Sequence, residues 1–193
     1  MKTTNKIVPL ILLIVLTSCI GPKATSTQPI STITSSNYDE KTNFTTYSKL
    51  PFGSISMPGE WTKSSYNQNS RQQFFKNEDD VSTAIAINKA SSYSFYNSNM
   101  NSNQIVKEFY EWDSKYLADN IQGSRSIIKI DNDNHFIIWK LVANNEQHNL
   151  NNYYLFGSEN GIIFNLYVAT DDWTEEQKIE YLVRAYNNRK VGR

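Results

Sequence analysis

Tyr153-Tyr154-Leu155-Phe156-Gly157-Ser158-Glu159-Asn160-Gly161-Ile162-Ile163-Phe164-Asn165-Leu166-Tyr167-Val168 decides the fold. Asn160-Gly161 supplies the two positive-φ positions of a type I′ turn, and dense β-formers flank it, so the stretch predicts a hairpin. Ile162, Phe164, Leu166 and Val168 would line one face of its second arm; Ile163, Tyr167 and Ala169 would line the other. A strand apolar on both faces must be covered on both. The hairpin therefore belongs near the middle of a sheet with a layer over each side, and Asn165 inside it predicts a hydrogen-bonded buried amide.

Upstream, Phe52–Met57, Gln72–Lys76 and Val81–Asn88 read as strands, the first stopped by Pro58-Gly59. Ser82, Ala84 and Ala86 leave room for a close neighbour on one face of the third. The period then changes. Ile105, Phe109, Trp112 and Tyr116 recur at helical spacing, from the Asn101–Asn103 cluster to about Asn120. Ile127–Ile130 and Phe136–Val142 are strands either side of an Asp131–Asn134 turn. The second is apolar on both faces, so Ile138 and Trp139 should be buried under opposite layers. A final helix opens with capping-box spacing at Thr174-Glu175-Glu176-Gln177 and buries Ile179, Leu182, Val183 and Tyr186. Three strands, a helix, four strands and a helix show no βαβ repeat, which predicts an α+β fold on a mostly antiparallel sheet of six to seven strands.

The chain has 193 residues and one cysteine, which excludes internal disulfides and cysteine-based zinc sites. Lys2 and Lys6 precede an apolar run, Ile7 to Leu16, too short to span a bilayer. Residues 1–18 read as a signal peptide and are set aside. Leu16-Thr17-Ser18-Cys19 resembles the lipobox of bacterial lipoproteins. The resemblance implies cleavage before Cys19, lipidation of Cys19 and a membrane anchor. The absence of Asp at the second mature position implies sorting to the outer membrane, facing the periplasm. Without Lys2 and Lys6 there are 17 basic against 19 acidic residues, a formal charge of −2, which argues against a nucleic-acid partner. Residues 19–48, rich in Ser and Thr with Pro22 and Pro29, read as a flexible tether, residues 49–188 as one globular domain, and residues 189–193 as a basic tail.

Ile55-Ser56-Met57-Pro58-Gly59-Glu60-Trp61, with the late hairpin and the Trp173-Thr174 helix start, resembles PsbP-like domains across residues 49–188. That implies an α/β/α sandwich with helices over both faces. It implies protein binding more than catalysis, since that family includes a photosystem subunit, a nuclear-import cofactor, secretion chaperones and many bacterial lipoproteins.

Chemistry-bearing motifs are sparse. Asp131-x-Asp133-x-His135 has the start of a calcium loop, but Phe136 and Val142 stand where Gly and the bidentate Glu are needed, so a solvated turn and no metal are expected. Gly-x-Ser-x-Gly, His-Glu-x-x-His and a Gly-rich phosphate loop are all missing, and neither a catalytic residue nor a cofactor is assigned. Trp61, Tyr93, Phe95 and Tyr96 are candidate interface aromatics, although the last three could instead fold back as a lid on the core. The expected function is a membrane-tethered envelope module that binds a protein, of adaptor or immunity type. The alternative is an envelope hydrolase of lipid or glycan with His135 or His148, the only two histidines, as base.

Overall fold

In the computed structural model, which describes residues 31–192, Asn160 (φ 49°) and Gly161 (φ 73°) form the expected left-handed turn. They join β9 (Asn149–Glu159) to β10 (Ile162–Ala169). The expected signal peptide at residues 1–18, the lipidation site expected at Cys19 and the first part of the expected tether lie outside the described residues. The hairpin sits at the centre of a seven-stranded sheet ordered β4-β5-β6-β10-β9-β8-β7, with every pair antiparallel. Its other strands are β4 (Thr62–Asn67), β5 (Gln72–Lys76), β6 (Ser82–Lys89), β7 (Ser124–Asp131) and β8 (Phe136–Asn144).

A second, four-stranded sheet orders β1 (Ile33–Asp39), β2 (Phe44–Leu50), β3 (Gly53–Pro58) and β11 (Arg189–Val191). Within the tether expected at residues 19–48, residues 32–48 are corrected, and so is the start of the tail expected at residues 189–193: the folded unit begins at Thr32, and Arg189–Val191 pairs with β3. The reason is local. The inward residues of β2 are Thr45, Tyr47 and Lys49, all buried, while Leu50 is exposed, so its hydropathy does not alternate with its burial. β1 and β4 are exposed along nearly their whole length and carry no apolar alternation.

Helices α1 (Ser102–Phe109) and α2 (Lys115–Ile121), joined by a π-helical turn at Tyr110–Ser114, cover one face of the large sheet. Helix α3 (Glu175–Asn187) and the small sheet cover the other. Trp139 packs under the first layer and Ile138 under the second, both at zero exposure. Both long helical segments start with reciprocal capping boxes, Asn101 with Gln104 and Thr174 with Gln177. The expected α1 stripe holds only for its first half. Ile105 and Phe109 are buried, but Trp112 and Tyr116 are 44% and 63% exposed. The π-helical turn adds one residue to the period, so burial passes to Ser114 and Ala118. Arg125 pins that turn: its guanidinium donates to Ser114 Oγ at 2.6 Å and to Glu111 at 2.9 Å, and lies over the Tyr110 ring.

Candidate functional site: an aromatic, acidic cleft beside the small sheet

Thr45 organises the Pro58–Trp61 turn, which borders a cavity. Its hydroxyl donates to the Gly59 carbonyl at 2.8 Å and accepts the Trp61 N–H at 2.9 Å. Gly59 takes φ 90°, a conformation that side chains rarely adopt, and donates its N–H to the Asn43 carbonyl. The Pro58–Trp61 turn is thereby fixed, and the Trp61 indole donates back to the Pro58 carbonyl at 2.6 Å. Trp61 packs against Tyr181 of α3, and Tyr181 against Trp173, with ring centroids 5.4 Å apart in each case. Tyr181 is in turn held by its hydroxyl, which donates to Thr83.

These rings line a cleft of about 890 Å³ between the β1–β2 hairpin, the β3–β4 turn, the β5–β6 turn and α3. Tyr38 forms part of its wall, Trp173 lines it just ahead of α3, and Gln177, Glu180 and Arg184 line it along α3. The three helical residues recur at helical spacing. Glu60, Glu78 and Glu180 supply carboxylates, none of which is in an ion pair among the described residues. Of the two cations, Lys76 is paired with Asp80 and Arg184 lies over the Phe44 ring. Aromatic faces with unpaired carboxylates suit recognition of an extended or cationic ligand.

The sequence candidates separate. Trp61 reaches the cleft, but as a buried floor residue at 5% exposure rather than an exposed anchor. Tyr93, Phe95 and Tyr96 lie on the opposite side of the large sheet, half-buried against the core under α1. Tyr93 packs on Phe95, Phe109 and Trp112, so this trio forms a lid on the core. His135 faces Asn103, its Nδ1 2.9 Å from the amide oxygen, and His148 is in the loop after β8. Neither histidine lines the cleft or a smaller cavity of about 410 Å³ between α1 and β7. Asp131 accepts from Asn134 as a turn residue, and that bond holds its carboxyl below the usual range. Among the described residues no three His, Cys, Asp or Glu side chains converge to hold a metal. Asn165 is buried and accepts from Gln72.

Sequence reasoning missed Tyr38, Glu60, Glu78, Trp173, Glu180 and Arg184. The α3 residues carried a signal, since their spacing marks a second face beside the buried stripe. It missed two perturbed groups as well. Asp113, in the π-helical turn, is pushed up to about 7 by burial. The Lys49 ammonium is held below the usual range by burial and donates to Asn88, which donates to the Tyr93 hydroxyl.

The solution structure of cyanobacterial PsbP (CyanoP) from Synechocystis sp. PCC 6803 is similar at 13% identity, over 89% of this chain and 99% of that one, with a TM-score of 0.46. No family model and no curated protein matches the chain. The fold is mixed α/β, with antiparallel sheets and flanking helices.

Proposed function

We propose that the chain is a lipid-anchored envelope protein with a PsbP-like domain, and that it works as a binding module whose recognition site is the Trp61–Trp173 cleft. The lipobox at Leu16–Cys19 supplies the anchor, on Cys19, at the periplasmic side of the outer membrane. The carrying observation is the chemistry of the cleft: packed aromatic rings and three unpaired carboxylates, with both histidines elsewhere. An anchor raises the effective concentration of a partner in the same membrane, which suits a binding role.

The test uses the protein in its own envelope. Cys19→Ser should abolish incorporation of labelled fatty acid. Trp173→Ala should lose capture of the partner by cross-linking. The double variant His135→Ala, His148→Ala should keep both capture and cellular phenotype. Lost phenotype with intact capture in the histidine variant would replace this function with the hydrolase alternative.

A further inference from the structure

Every open sheet carries two edges, and an unpaired edge is a template for another strand unless something blocks it. Three of the four edges here are blocked. β4 is bulged between Lys63 and Tyr66. β7 is bulged between Ile127 and Lys129 and carries Arg125 and Lys129. β11 is only three residues long. β1 has no such device. Its seven residues pair with β2 in unbroken register, Ile33 opposite Leu50 through Asp39 opposite Phe44. Its one charge is Asp39, at the end, and both of its faces are open to solvent. Its far side has no strand partner among the described residues.

β1 also leads to the cleft. Tyr38, paired with Thr45, is a wall residue of the cavity, and its hydroxyl donates to Asn43 across the hairpin. A strand laid along β1 therefore ends at the cleft. Resting on the binding-module function, we infer that the ligand is an extended peptide segment of a partner protein. It adds to the small sheet along β1 and presents a lysine or arginine to the cleft. Main-chain hydrogen bonds to the β1 edge supply affinity, and the cleft supplies selection. The basic side chain lays its aliphatic stem on the aromatic wall and its charge toward Glu60, Glu78 and Glu180. Glu78 and Glu180 are exposed and outside every ion pair among the described residues, so their charges are open to such a ligand.

The test is fluorescence anisotropy with the detergent-solubilised full chain and a labelled peptide, TVTVKVTVT. The parent peptide should bind saturably. Two N-methylated forms, each blocked on alternate residues, should differ: one register abolishes binding and the other leaves it within about twofold, because only alternate amides face the β1 edge. Replacing the central lysine by glutamate, or making the double variant Glu78→Gln, Glu180→Gln, should weaken binding roughly tenfold. Equal binding of the two N-methylated forms overturns strand addition, and this comparison uses unaltered protein, so folding cannot confuse it. Undiminished binding of the glutamate peptide overturns the basic-residue selection. Absence of saturable binding, or displacement by soluble cell-wall oligosaccharide, overturns the peptide ligand. If Trp173→Ala loses envelope capture while the N-methylated forms bind alike, the cleft function stands and strand addition alone fails.

Discussion

Gly157 shows how one missing atom positions a helix. A Cβ at this position would lie 2.2 Å from Cε2 of the Tyr186 ring, far inside van der Waals contact. The ring can lie on β9 only because that space is empty, and its hydroxyl then donates to the carbonyls of Asn134 and His135. Gly157→Ala should cost about 2–3 kcal/mol through forced repacking at the α3–sheet contact, read as a lower denaturant midpoint. A midpoint unchanged from the parent would show that Tyr186 can move freely. Asp113 makes a second residue-scale prediction. Burial raises its carboxyl from the usual 3.8 to about 7, near the phenols of Tyr93 and Tyr154, so the folded chain holds a proton that the unfolded chain has released. Stability from this group is complete below about pH 4 and falls as pH rises toward 7, by on the order of 2–4 kcal/mol. Asp113→Asn should flatten that slope and unfold at higher denaturant than the parent at pH 8. An unaltered slope would place the titration elsewhere.

Among the elements, the α1–π–α2 segment is where sequence periodicity and structure part. The stripe through Ile105, Phe109, Trp112 and Tyr116 is correct for an ideal helix. The observed burial runs Ile105, Phe109, Ser114, Ala118, with one wider step across the π-helical turn. Nothing in the local sequence enforces that step. Its partner is Arg125, on the edge strand β7, which fills the widened turn with hydrogen bonds to Ser114 and Glu111. Trp112 is thereby turned outward, yet keeps one edge against Tyr93 and Phe95, and so joins the aromatic lid. Buried stripe residues of α3, by contrast, follow the expected period at Leu182 and Tyr186, with Tyr181 and Ala185 beside them.

At the scale of the molecule, the small sheet is part of the domain and not a leader to it. Thr45 and Tyr47 of β2 are buried at 1% exposure each, and Tyr47 packs edge-on to Phe75 of the large sheet. A fragment of residues 49–188 lacks β1, β11 and most of β2, which exposes Ile55 and Met57 of β3 and removes Thr45, the side chain that fixes the Pro58–Trp61 turn. That fragment should fail to give a cooperative thermal transition, whereas residues 32–193 should melt as one unit. Cooperative melting of the shorter fragment with native ellipticity would show that β2 adds little to the core.

The sequence by itself determined the central hairpin, the mostly antiparallel pairing, the capping box at Thr174 and the burial of Ile138 and Trp139 beneath opposite layers. These rest on local signals: the Asn-Gly turn, short-range side-chain hydrogen bonds and the hydrophobic run of a strand covered on both sides. Tertiary structure alone decided the rest. β2 buries Thr, Tyr and Lys because its inward face meets polar and aromatic partners from β3–β4, β6 and β5: Gly59 and Trp61 at Thr45, Phe75 at Tyr47, and Asn88 at Lys49. β1 and β4 hold their strands through backbone pairing with a neighbour, which leaves no pattern in their side chains. The cleft brings Tyr38, Trp61, Glu78 and Trp173 together from four separate stretches of chain, and long-range packing of that kind leaves no spacing to read.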